Sequence, residues 1–245
     1  MRVIIKDQEY DNVIDRPRIF ARRGRIIENM ELHHCNFYWC VLSLTHKPHL
    51  RTLVRNVRIV DCYEANCDVN TAIIEDCEIN GLRTYGAPLR LLGTVFKHVV
   101  LRGQIGSMAS VDSSNWLGGS PDWLSLKRKK CNAIDASNVE YYKHVDWALD
   151  IREAEFRQAY FIGVPASLIR RDPTTQFIVK REKLLDNKWR QIIPQNTSTT
   201  IDMDIFLESG IQDMVFVAPK GAPDLFDKKM RYFEKLRKVG IAEPD

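Results

Sequence analysis

The strongest constraint on this chain is a spacing of five. Counting in fives from Val57 gives Cys62, Cys67, Ala72 and Cys77, and two residues after these come Ile59, Glu64, Val69, Ile74 and Ile79. Upstream, Met30, Cys35 and Cys40 are followed by Leu32, Phe37 and Leu42. Downstream, Thr94 and Val99 are followed by Phe96 and Leu101, and Leu149, Ala154 and Ala159 by Ile151, Phe156 and Phe161. Of these 26 positions 24 are apolar, Glu64 and Thr94 excepted. At the chain's mean hydrophobic content about 11 would be expected.

Neither common period explains the pattern. A helix places apolar residues at i, i+3, i+4 and i+7, and a plain strand alternates without interruption. Two inward positions flanking one residue, followed by two that point elsewhere, describe a short extended segment and then a corner. Repetition winds the chain around one continuous apolar column, each turn pairing with the last. The first inward position is mostly Cys or Ala, as close approach near a corner favours. The second is Leu, Ile, Val or Phe, as the centre of the column favours. Cys35, Cys40, Cys62, Cys67 and Cys77 are therefore small buried residues and not zinc ligands, which come in closely spaced pairs.

These runs resemble the pentapeptide-repeat proteins, most closely in "AEFRQAYFIG" (154–163) and "CDVNTAIIEDCEIN" (67–80). The resemblance implies a mainly β fold, a right-handed parallel β-helix with four sides. Residues twenty apart should stack, Val57 under Cys77 and Ile59 under Ile79. Glu64 departs from the pattern at a buried place, where an unpaired carboxylate costs several kcal/mol or stays protonated.

Around this solenoid the sequence suggests three regions. Residues 1–29 read as an N-terminal hairpin cap, with Gly24 in its turn. Residues 30–165 hold the repeats, interrupted by loops at 43–55 and 81–93, where Pro48 and Pro88 lie, and by a longer excursion after Leu101. Residues 166–245 read as a mixed α/β appendage. In it Asp172-Pro173 starts a helix running to Pro194, "DMVFVAP" is a strand, and Pro223 to Val239 is a second helix that packs on the solenoid or dimerises.

Charge is segregated along the chain. Val57 to Gly81 carries six acids and one base, and Leu82 to Lys130 eight bases and two acids. The acids Asp61, Glu64, Asp68, Glu75, Asp76 and Glu78 form one candidate partner-binding group. Trp116 and Trp123 beside Lys127, Arg128, Lys129 and Lys130 form another, since single-strand binders interleave aromatic and basic residues. His33 and His34 point away from Cys35 in this register and do not converge as ligands. No nucleophile elbow, phosphate loop or dinucleotide fingerprint occurs. No stretch is apolar enough for a membrane span or a signal peptide, so a cytoplasmic protein is expected.

The expectation is a non-enzymatic scaffold without cofactor or metal, binding another protein through its charged surface and loops. The alternatives are nucleic-acid binding through residues 127–130, or the DNA-mimic modulation of topoisomerases that the resemblance implies.

Overall fold

A computed structural model describes residues 2–17, 21–111 and 128–243. The fold is mainly β, built on a 14-stranded sheet whose strands pair in parallel. Along its main path Val3–Lys6, Ile26–His33, Leu53–Ala65, Glu78–Tyr85 and Val99–Val111 lie side by side, and Leu149–Phe161 pairs with the last of these. Ile59 stands opposite Ile79, a register of 20 residues. Between Ile26–His33 and Leu53–Ala65 the register lengthens to 27, because a short 3-10 turn at Pro48–Leu50 is inserted. The sheet curls around one apolar interior.

The corners explain how the chain folds back so often. Asn29, His34 and Trp39, then Asn56, Asp61, Asn66, Thr71, Asp76, Gly81 and Gly86, all have φ between 49° and 81°. They recur every five residues within each run, and all but Gly86, which precedes exposed Ala87, stand directly before a first inward position. The left-handed conformation is easiest for Gly and tolerated by Asn and Asp, so seven of these ten corners carry one of those three residues. Gly81 also lies against the neighbouring corner, where an added Cβ would come within 2.7 Å of Asp61 Oδ1.

The inward residues divide by position. Cys35, Val57, Cys62, Cys67, Ala72, Cys77, Leu149, Ile151, Ala154, Phe156 and Phe161 are buried. Phe37, Cys40, Leu42, Ile59, Val69, Ile74, Ile79 and Ala159 are half-buried. Most of the half-buried group sits at the second inward position, where β-branched Ile and Val do not reach the axis. The upper interior is hollow, with a cavity of about 380 Å³ lined by residues from Tyr10 to Leu149.

Four expectations need correction. The N-terminus is not a hairpin cap. Val3–Lys6 and Glu9–Asp11 run parallel to Ile26–His33 and Asn36–Tyr38 and form the first level of the sheet. Asp7 and Asn12 supply its corners, at the same spacing of five. The segment 81–93 is largely strand, because Leu82 lies opposite Cys62 and takes an inward place, with Leu89 and Leu91 buried further along. The excursion after Leu101 begins later, since Ile105 and Met108 point inward and strand Val99–Val111 continues through them. No helix starts at Asp172. Its carboxylate accepts bonds from the Thr174 N–H and the Thr175 hydroxyl in a tight turn, and Gln176–Lys180 is a strand with Phe177 and Val179 buried.

Four α-helices complete the described chain: α1 (Arg128–Tyr142), α2 (Trp189–Ile192), α3 (Ser198–Ser209) and α4 (Pro223–Lys238). Helix α1 packs against the large sheet, where Arg51 joins the Asn138 side chain to the carbonyls of Thr71, Ala72 and Gly93. Helix α3 starts at Thr197, whose hydroxyl accepts the Thr200 N–H, and ends at left-handed Gly210. Strands Gln176–Lys180, Asp213–Val217 and Ala242–Glu243 form a second, antiparallel sheet. Helix α4 packs on it through Phe233, which meets Phe177 and Phe216. Val111 and Ile162 of the large sheet belong to the same apolar cluster, so the appendage is welded to the sheet.

The corner rule is testable at Asp61, which is exposed and has φ 49°. Asp61→Gly is expected to leave stability within a few tenths of a kcal/mol, and Asp61→Val to cost about 1–2 kcal/mol in urea unfolding.

Candidate functional site

The six acids singled out by sequence do not form one surface. Asp61 is an exposed corner. Glu64 and Asp68 are buried. Asp68 is gripped by Arg90 from the next strand, Nη2 donating to Oδ2 at 2.6 Å. Burial raises the Asp68 pKa and the Arg90 guanidinium opposes that rise. Glu75 accepts the Tyr141 hydroxyl of helix α1 at 2.9 Å. Asp76 meets His98 at 3.0 Å, and His98 reaches Asp146 on its other nitrogen at 2.6 Å. The bond to Asp146, then that to Asp76, raises the His98 pKa. Glu78 lies between Arg58 at 3.8 Å and Arg102 at 3.6 Å. Stacking has set the acidic segment against bases from neighbouring strands.

Glu64 is the exception. Its Oε2 accepts the Cys67 backbone N–H at 3.1 Å, while its Oε1 is buried without a partner. It lies opposite Phe37 and Thr84 in the wall of the interior cavity. Burial pushes its pKa up to about 7.

Of the basic group, Trp116, Trp123 and Lys127 lie outside the described residues. Arg128, Lys129 and Lys130 open helix α1, not a loop. His34 is an exposed corner, and His33 meets Glu31 at 3.0 Å. The cysteines pair by stacking: the Cys35 N–H points at Cys62 Sγ, and the Cys40 N–H at Cys67 Sγ, each at 3.3 Å. Burial holds the thiols of Cys62 and Cys77 up at about 11 and that of Cys67 at about 12, which suppresses the reactive thiolate. Among the described residues no three His, Cys, Asp or Glu side chains come together as metal ligands. No described helix is long and apolar enough to cross a membrane.

The outer face carries a feature that the fivefold count passed over. Tyr38, Tyr63 and Tyr85 form a ladder with ring centroids 6.1 and 6.4 Å apart. Tyr85 is 70% exposed, and Trp39 at the adjoining corner 58%. Arg83 is exposed beside Tyr63, its register partner. The signal was present in the sequence as aromatics at outward positions of successive turns. The rings meet diagonally, because Tyr38 stands opposite Ala65 and Ala65 opposite Tyr85, so spacing alone does not reveal the ladder.

Searches with this chain match no protein-family model, no curated protein and no solved structure.

The buried carboxyl gives a pH test with a definite sign. Between the usual carboxylate value and about 7, folded Glu64 holds a proton that the unfolded chain has released, so rising pH erodes stability. Gln keeps an acceptor for the Cys67 N–H. Glu64→Gln should match the parent near pH 4 and exceed it near pH 8 by up to about 3 kcal/mol in urea unfolding.

Proposed function

We propose that this chain is a non-enzymatic interaction protein, and that its tyrosine ladder is the surface that meets another protein. The large sheet is read as a closed, right-handed, four-sided solenoid of the pentapeptide-repeat kind. Parallel registers that repeat at 20 and 27 residues, and left-handed corners every five, support that reading. A scaffold of this type holds its outer face stiff, because each strand is hydrogen-bonded on both sides. Partners then bind without ordering the surface first, which removes one cost of association.

The carrying observation is the ladder itself. Tyr38, Tyr63, Tyr85 and Trp39 bring large, rigid, amphipathic side chains together beside Arg83. Tyr, Trp and Arg are the residue types that dominate binding energy at protein interfaces. The acidic segment supports a DNA-mimic reading less well. Asp68 and Glu78 are paired with arginines, and Glu64 faces inward, so little uncompensated negative charge is left outside.

The test places a photo-crosslinking residue at Tyr63, at Tyr85 and, as a control, at exposed Glu182 of the appendage. The ladder positions should yield adducts with one and the same protein, and the control should not. Tyr63→Ala combined with Tyr85→Ala should weaken capture of that protein about tenfold or more. Equal adducts at all three positions, or no protein adduct at the ladder, would refute the reading.

A further inference from the structure

The interior cavity has the form of a ligand site. Leu32, Ile59, Ile79 and Leu101 line it from four adjacent strands in register, and Leu149 lines it from a fifth. Four strand spacings make a lumen about 19 Å deep. Its volume of about 380 Å³ falls within the ~300–1,000 Å³ common for small-molecule sites. The depth and modest volume together describe a narrow tube.

The tube has a closed end and an open one. Beyond Leu149 stands its register partner Ile169, 5% exposed, and Ile151, Phe156 and Phe161 of the Leu149 strand itself are each at most 1% exposed. At the other end the lining includes Val13, which is 50% exposed, and Arg25, whose side chain is 62% exposed. Leu, Ile and Val make up most of the lining, with Phe37 and Phe96 among them, and Phe156 and Phe161 are packed at the floor.

The wall is almost wholly carbon. Of its carboxylates, Asp68 is held by Arg90. Asp15 accepts the Thr52 hydroxyl at 2.6 Å and meets Arg25 at 3.2 Å. Glu64 Oε1 is shut away from the lumen surface. Apart from Tyr10 and the mouth residue Arg25, the lining away from these carboxylates is aliphatic, aromatic or sulfur-bearing, so the chemistry that fits is a hydrocarbon chain. An apolar cavity of this kind stays dry and takes apolar guests. The polar end of such a guest must lie at the mouth. There Arg16, Arg22, Arg23 and Arg25 are all exposed, within three residues of the lining residues Asp15 or Arg25.

We propose that the lumen binds a single-chain amphiphile with an anionic head group, its hydrocarbon tail running from the mouth at Val13 and Arg25 toward Leu149 and its head held by Arg25 and the exposed arginines near it in sequence. This site lies inside the sheet, so it is independent of the tyrosine ladder on the outer face.

The test titrates the whole chain with straight-chain carboxylates from hexanoate to hexadecanoate, each below its micelle concentration, by calorimetry. Affinity should rise about fourfold per added methylene, then stop rising once the tail reaches the floor. Dodecanoate and dodecyl phosphate should bind more tightly than dodecanol, and dodecylamine least. The two anionic arms then separate a fatty-acid source from a phosphate-headed one. Arg22→Gln with Arg23→Gln should weaken dodecanoate several-fold and leave dodecanol unchanged. Val69→Phe, and separately Ile79→Phe, should fill the lumen and lower dodecanoate affinity at least tenfold while the melting temperature holds or rises. If both fillers unfold, the chain-length ceiling of the parent protein still decides. Absence of saturable binding, affinity that climbs without a ceiling, or equal binding of amine and carboxylate would overturn the proposal.

Discussion

A residue held in the left-handed conformation every five positions is the constraint on which this structure depends. Each such corner turns a three-residue strand so that the next can pair with the level beneath. Where the corner is Asn, Asp or Gly the conformation costs little. At Thr71, which is none of these, the surroundings hold it. Thr71 is β-branched and still has φ 55°. Its hydroxyl donates to the Ser43 and Thr45 carbonyls, and its own carbonyl accepts Arg51 Nε. Arg51 in turn ties that corner to Gly93 and to helix α1 through Asn138. Burial lowers the Arg51 pKa to about 10, which still leaves it charged at neutral pH. A strained corner, an inserted loop and a helix are therefore fastened by one side chain.

With the corners fixed, side-chain volume decides what the interior becomes. Cys, Ala and Val at the first inward position let adjacent levels stack closely, and their thiols spend their hydrogen bonds on local carbonyls. The second position faces the axis. Phe there fills it, as Phe156 and Phe161 do in edge-to-face contact at 5.8 Å. The upper levels, lined mostly by Leu, Ile and Val with Phe37 and Phe96 among them, enclose a cavity. One backbone scheme thus gives a filled core at one end and a hollow at the other.

The fivefold ladder was legible because it is local: the period and the inward pairs follow from sequence spacing, and the pairing of Ile59 with Ile79 is what the resemblance to pentapeptide repeats implies. What escaped was set at longer range or by residues outside the pattern. The first level uses Tyr10 and Asp15 at second inward places, so the ladder is not seen there, although Asp7 and Asn12 carry the corner signal. The opposed charges of 57–81 and 82–130 read as two regions of opposite sign. A register of about twenty residues folds part of one onto the other, and Arg90 meets Asp68 while Arg102 meets Glu78. Strand Gln176–Lys180 reads as helix in the sequence because its apolar residues fit either period, and pairing with Asp213–Val217 makes it a strand. Helix α3 had its cap at Thr197 and its stop at Gly210, both readable and both passed over.

The two ends of the large sheet are treated differently, and this asymmetry links the appendage to the cavity. A parallel sheet of this kind must end in unpaired backbone groups and an open core. At the Phe156–Phe161 end the appendage closes both. Gln176 Nε2 donates to the Ile151 carbonyl, and the Gly221 N–H to that of Phe156. Tyr160 donates to Asp202, which is also paired with Lys229 at 2.6 Å, so helices α3 and α4 are joined to the last long strand through buried polar contacts. Removing either charge of that pair would strand the other in a low-dielectric site, which favours a fixed docking geometry over a sliding one. At the opposite end Val3–Lys6 is an edge strand, with Val3 and Ile4 more than half exposed. Closure at one end and an edge strand at the other give the two ends different characters, and the amphiphile proposed above would take its direction from that difference.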